Sequence, residues 1–242
     1  DNVLLAQELI SQIDRKVRGS NVVFKLDMAK AYDRMSWFFV IKVLRAFGFP
    51  EFLIDLVWRL ISNCWFSVLI NGSAKGYFRA GRGLRQGDPL SPSLFVIAAE
   101  ALIRGLHSLT IYGQVQRFGI PRGCPLISSL SFADDIVIFS NGSRSSVRRL
   151  LSFLHQYERS SGQLVNPSKS CFVHAKDLSP SRAAWIETIS GFKEASLPLP
   201  YLGIVLYRGR KLNAYFDSLA DKVRGKILRW NASLLSQAGR LV

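Results

Sequence analysis

Three aspartates stand where apolar strands end. Asp27 closes the run Val22-Val23-Phe24-Lys25-Leu26 and opens the stretch Met28-Ala29-Lys30-Ala31-Tyr32-Asp33. Asp134 and Asp135 form a doublet inside Ser131-Phe132-Ala133-Asp134-Asp135-Ile136-Val137-Ile138-Phe139. A carboxylate at the tip of an apolar strand needs a partner, because burying an unpaired charge is costly. Two or three such groups converging at one sheet edge supply hard oxygen donors, suited to divalent ions that act on phosphates.

The composition agrees with a phosphate-rich partner. The chain of 242 residues has 32 Lys+Arg against 17 Asp+Glu, a formal net charge of +15. That excess attracts polyanions, nucleic acid first among them. A merely basic, ribosomal-type protein would explain the charge but not the placement of the acids. With 48% hydrophobic residues the chain can bury a core, which excludes a disordered basic tail. Its length suits one large domain or two small ones. Cys64, Cys124 and Cys171 form no CxxC pair and are odd in number, so they read as buried thiols of an intracellular protein. His107, His155 and His174 show no zinc spacing. No apolar run reaches the ~18 residues of a membrane span, and no signal peptide is evident. Beginning at Asp1 rather than Met, the chain reads as a piece of something longer.

The elements that position the acids follow from periodicity and turn signals. Helical spacing covers Val3 to Lys16, and a strand runs from Asn21 to Asp27. Helices follow from Trp37 to Phe47, stopped by Gly48, and from Pro50 to Ile61. Phe66 to Ile70, Asn71-Gly72 and Tyr77-Phe78 predict a hairpin. A basic, glycine-rich loop, Gly81 to Asp88, leads into an apolar helix from Pro89 to Leu106, with Asp88 as its N-cap. Leu126 to Phe132 and Ile136 to Phe139 flank the doublet, placing both acids in a tight turn. Ser143 caps a helix to Glu158, and Gly162 suits its C-terminal cap. Ser170 to His174 is a short strand, Pro180 to Ile189 a helix, Tyr201 to Tyr207 a strand, and Lys211 to Trp230 a basic amphipathic helix. This order is no βαβ alternation, so the fold class is α+β with an antiparallel sheet and packed helices.

Five ordered blocks now carry a resemblance. They are Lys25-Leu26-Asp27 with Tyr32-Asp33 and Trp37; Arg85-Gln86-Gly87-Asp88-Pro89-Leu90-Ser91-Pro92; Phe132-Ala133-Asp134-Asp135; Gly162 to Asn166 with Lys169-Ser170; and Tyr201-Leu202-Gly203. The chain resembles the reverse transcriptase domain of LINE-type (non-LTR) retrotransposons, close to the plant elements. The resemblance implies a polymerase palm with partial fingers and the start of a thumb. Residues 1–20 would form an N-terminal helix at the fingers/palm edge, 21–195 the palm with fingers helices inserted, and 196–242 the primer-grip region and start of the thumb.

It also implies the chemistry. A DNA primer 3′-hydroxyl would attack the α-phosphate of a dNTP on an RNA template, with two Mg²⁺ ions roughly 3.5–4 Å apart stabilising the attacking and leaving oxygens. Asp27 and Asp134 would bridge the ions, and Asp135 would support them more weakly. Tyr32 would pack under the sugar and exclude a 2′-hydroxyl; an aromatic there, and Phe-Ala-Asp-Asp rather than Gly-Asp-Asp, disfavour an RNA-dependent RNA polymerase. Asp33 would cap the helix starting near Ser36 or pair with a cation. Gly87 allows a close backbone approach, Gln86 could bond a base or the template, and Arg85 could meet a phosphate. Lys169 would protonate the leaving pyrophosphate, and Tyr201, Leu202 and Gly203 would form the primer grip. Lys211, Lys222, Arg224, Lys226 and Arg229 would line a thumb helix tracking the duplex. Upstream fingers blocks that clamp the triphosphate are missing, as are endonuclease and RNase H domains. The expectation is a piece inactive by itself, working in the nucleus. The alternative is a domesticated or decayed remnant that binds nucleic acid or protein without catalysis.

Overall fold

The structure, a computed structural model, describes residues 1–229. It begins with α1 (Asn2–Ser11) and β1 (Asn21–Asp27), then the short α2 (Ala31–Arg34), α3 (Trp37–Ala46) and α4 (Glu51–Ser62). The hairpin β2 (Trp65–Ile70) and β3 (Ser73–Arg79) precedes the long α5 (Ser91–Ile111). After these come β4 (Ser129–Phe132), β5 (Asp135–Asn141), α6 (Arg144–Ser161), β6 (Cys171–His174), α7 (Pro180–Ser190) and β7 (Lys193–Glu194). The hairpin β8 (Leu199–Tyr201) and β9 (Ile204–Leu206) leads through a 3₁₀ turn, Asn213–Phe216, to α8 (Asp217–Arg229).

One five-stranded sheet, in the order β4-β5-β1-β6-β7, organises the molecule. β1 lies at its centre because Val22, Val23, Phe24 and Leu26 bury both of its faces. Val22, Phe24 and Leu26 point to the cluster built by α3, α5, α6 and α7. Val23 points the other way, with Val137, Phe139 and Val173, against Ala6, Leu9 and Ile10 of α1 and Tyr201 and Leu206 of the β8–β9 hairpin. The α+β class with its antiparallel sheet holds for β4, β5, β1 and β6, whereas the short β6–β7 pair is parallel.

Several predicted features are corrected. α1 stops at Ser11, not Lys16; beyond it Asp14 accepts the Lys176 backbone N–H at 3.0 Å and pairs with Arg208 at 3.2 Å. Asp88 accepts the Leu90 N–H at 2.9 Å, so it caps a turn and α5 starts only at Ser91. Ser36 caps α3 by accepting the Phe39 N–H, a role Asp33 does not take. Instead of one strand from Tyr201 to Tyr207 there is a hairpin, its turn made by Leu202 (φ +48) and Gly203 (φ +79). Lys211 precedes the 3₁₀ turn and is on no helix, and Trp230 lies outside the described residues. Cys124 is exposed, with Cys64 and Cys171 half-buried, so the thiols are not core residues. α5, with 21 residues, is long and apolar enough to cross a membrane by length and composition. One face of it, Leu94, Phe95, Ala98, Leu102 and Leu106, packs in the cluster under the sheet.

Candidate active site

The C-terminal end of β1 is where the blocks meet. Asp27 is held through its backbone on two sides: its N–H donates to Ser170 Oγ at 3.1 Å, and its C=O accepts the Asn166 N–H at 2.8 Å. Just beyond, Ala29 N–H donates to Leu164 C=O at 2.9 Å and Met28 N–H to Asp134 C=O at 3.2 Å. Between them the 162–170 loop, at Asp27 and Ala29, and the β4–β5 turn, at Met28, hold these three residues.

The doublet divides at that turn. Ala133, at φ +53, and Asp134 make the two-residue turn, while Asp135 is the first residue of β5. Only one of the two acids expected in the turn is there, because Ala133, a residue type with no turn signature, takes the left-handed conformation. Asp135 stands directly across from Asp27 in register, so both side chains share one face of the sheet. Each is half-buried and near a lysine: Lys169 Nζ is 3.9 Å from Asp27 Oδ2, and Lys25 Nζ is 3.7 Å from Asp135 Oδ1.

Asp134 opens onto a cleft of about 210 Å³ that it lines with Lys30, Ala31, Tyr32, Gln86 and Ala133. Tyr32 is fixed there, because its ring stacks on Phe95 of α5 at 4.5 Å and 9°. Gln86 Nε2 donates to Asp33 Oδ1 at 3.3 Å. The glycine-rich loop docks beside Tyr32 through Leu84 N–H to Tyr32 C=O and Gly83 N–H to Met35 C=O, both 2.8 Å. Arg85 pairs with Asp88 at 2.6 Å. The Leu90 N–H, and then Arg85, hold the Asp88 carboxyl below its usual range, while Asp88 raises the Arg85 guanidinium further. Gly87 adopts φ +87 in open space. A second groove, of about 470 Å³, runs between α4, the β2–β3 hairpin and this loop, and Gln86 lines both.

Tyr201 is buried, and its hydroxyl has no hydrogen-bond partner among the described residues. Burial, and secondly the charge of Asp135, push its phenol upward. Leu202 and Gly203 form the adjoining hairpin turn. Of the basic set near the C-terminal end, Lys211 lies over the Phe216 ring, Arg224 pairs with Asp221 at 3.4 Å, Lys222 and Lys226 are exposed on α8, and Arg229 is its last residue. Lys25, Lys30, Asn166 and Ser170 contribute to the site without any motif role of their own. The place of Lys25 follows from the sequence, since period two puts residues 25 and 27 on one face.

Among the described residues no three His, Cys, Asp or Glu side chains converge as a finished metal cluster. The donors nonetheless are those a hard divalent cation takes: carboxylate oxygens of Asp27 and Asp135, across from each other on β1 and β5, and of Asp134 in the adjoining turn, with no sulfur or imidazole among them.

Residues 4–206 match the family of reverse transcriptases (RNA-dependent DNA polymerases). The chain is 28% identical over 178 residues to the Pol polyprotein of the type-1 retrotransposable element R2 of Popillia japonica, covering 74% of this chain and 28% of that protein. To the polyprotein of the type-2 element R2DM of Drosophila melanogaster it is 28% identical over 202 residues, covering 84% of this chain and 18% of that one. An uncharacterized mitochondrial protein of Arabidopsis thaliana, AtMg01250, is 40% identical over 74 residues, which are 30% of this chain and 61% of that protein. The chain thus spans 18–28% of the length of these R2 polyproteins. In fold it is similar to apo telomerase from Candida tropicalis, with a TM-score of 0.57 at 14% identity over 86% of this chain and 37% of that one. The match of residues 4–206 establishes the family: this chain belongs to the reverse transcriptases (RNA-dependent DNA polymerases).

Proposed function

We propose that this domain adds dNTPs to a DNA primer on an RNA template. The observation that carries the reading is the juxtaposition of Asp27 with Asp134 and Asp135 at adjoining strand ends, beside a cleft floored by Tyr32 and Gln86. Asp27 and Asp134 would hold the Mg²⁺ ions, which supply charge neutralisation at the attacking and leaving oxygens. Tyr32, locked on Phe95, would lie under the sugar of the incoming nucleotide and leave no room for a 2′-hydroxyl. Gln86 would bond a base or the template strand from the other wall. The Leu202-Gly203 turn would present backbone to the primer end, and Lys169, beside Asp27, would give a proton to the leaving pyrophosphate. Lys222, Lys226 and their neighbours on α8 would follow the duplex backbone.

The motif resemblance and the 40% identity to the Arabidopsis protein support a plant LINE-type source. The test is primer extension with Mg²⁺, an RNA template and dNTPs, using an R2-type polyprotein whose matched segment is replaced by this chain. Asp134→Asn should cut extension about 100-fold or more, as losing one group aimed at transition-state charge does. Extension that survives the substitution excludes the doublet as the metal site. No extension from the parent chimera, together with intact duplex binding, would favour the non-catalytic binding module.

A further inference from the structure

Lys25 is the one charged residue in the interior of the central strand. It lies between β5 and β6, opposite Val137 on one side and Cys171 on the other. Period two turns its side chain to the face of Val23 and Asp27, which α1 and the β8–β9 hairpin cover. Its neighbours there, Val23, Val137 and Val173, are buried and apolar. An ammonium in such a place is costly unless it is paired. Its partner among the described residues is Asp135, the diagonal cross-strand neighbour, at 3.7 Å. Asp135 in turn sits directly across from Asp27. Lys25, Asp27 and Asp135 thus occupy one patch of one face, while Asp134 opens onto the cleft with Tyr32.

We propose that Lys25 is a positioning residue: it neutralises Asp135 and keeps that carboxylate out of the cation site, leaving Asp27 and Asp134 to attract the divalent ions. This rests on the polymerase reading above. The two doublet acids then have separate tasks. Asp134 faces the nucleotide cleft, whereas Asp135 anchors the only ammonium inside β1, on the sheet face that Tyr201 of the primer-grip hairpin covers. The strand ends can therefore carry an acid at both positions without piling three uncompensated negative charges together.

The experiment is binding of Mn²⁺ alone to the 242-residue chain, followed by electron paramagnetic resonance. Lys25→Met should unmask Asp135 and tighten binding by about 3–10-fold, the scale of one extra charge acting at several Å through a partly solvated medium. Lys25→Arg should restore the parent affinity, which a purely packing role would not require. Asp135→Asn should weaken binding by a similar factor, since an unpaired ammonium then repels the ion. The double variant Lys25→Met/Asp135→Asn removes both charges and should bind within about twofold of the parent. It also serves if Lys25→Met alone does not fold. Unchanged or weaker binding in Lys25→Met, or a double variant that departs from the parent, overturns the assignment. Loss of binding in Asp134→Asn with no change across the Lys25 series overturns it alone. Mn²⁺ binding indifferent to both Asp27→Asn and Asp134→Asn overturns the polymerase reading and this one together.

Discussion

Tyr32 shows how much one side chain can decide. Its ring is clamped against Phe95 and borders the cleft shared with Asp134 and Gln86. A clamped aromatic excludes by shape, because yielding would break the stack and open a void in α5's packing. Tyr32→Ala in the chimeric polyprotein should raise rNTP incorporation relative to dNTP by about tenfold or more, since discrimination by steric exclusion disappears with the ring. Competing dNTP and rNTP incorporation on one template measures it; an unchanged ratio would make Tyr32 an ordinary core residue. The identity of these residues was readable in the sequence. What was not readable is which way each doublet acid faces. That depends on a two-residue turn at Ala133-Asp134, and alanine does not announce a left-handed backbone.

Among the elements, the segment after Asp27 matters most, and it is gripped from both sides by glycines. Gly83, at φ +91, comes so near that a Cβ would lie 2.7 Å from the Asp33 carbonyl oxygen. Gly162, at φ +77, would place its Cβ 2.7 Å from the Arg34 carbonyl oxygen. One belongs to the glycine-rich loop and the other ends α6, so the two loops meet across α2. Gly83→Ala and Gly162→Ala should each destabilise the fold by about 1–3 kcal/mol, combining strain at positive φ with a backbone clash. Urea unfolding measures the loss, and a cost near zero for either would mean that the clasp gives way freely. Gly162 was legible as a cap, because a helix pattern ending in glycine has one common solution. The limits of β1 were legible too, from its β-branched run and terminal acid. The β8–β9 hairpin was not: its turn is Leu202-Gly203, and leucine at φ +48 lacks the Asn-Gly or Asp-Gly signature that marked Asn71-Gly72. Gly83's role was hidden for a different reason, since Asp33, whose backbone it approaches, is far from it in the chain.

For the whole molecule, charge is the governing property. A formal net charge of +15 favours association with a polyanion without any metal, because cations placed on phosphates release condensed counterions. Binding of an RNA–DNA duplex should therefore weaken steeply with salt, and the slope of log K against log salt measures how many cations sit on phosphates. α8 allows that number to be divided. Lys222 and Lys226 are exposed and carry no ion pair among the described residues, whereas Arg224 already pairs with Asp221. Replacing Lys222 and Lys226 together by alanine should flatten the slope by roughly 2, close to one for each lysine taken off a phosphate. Arg224→Ala should flatten it by clearly less than either lysine, because its charge is partly neutralised within the helix. Fluorescence anisotropy across a salt series, on parent and variants, measures all three slopes. An unchanged slope in the double lysine variant would show that α8 lies off the duplex track and that the cations on the phosphates belong to another surface of the domain.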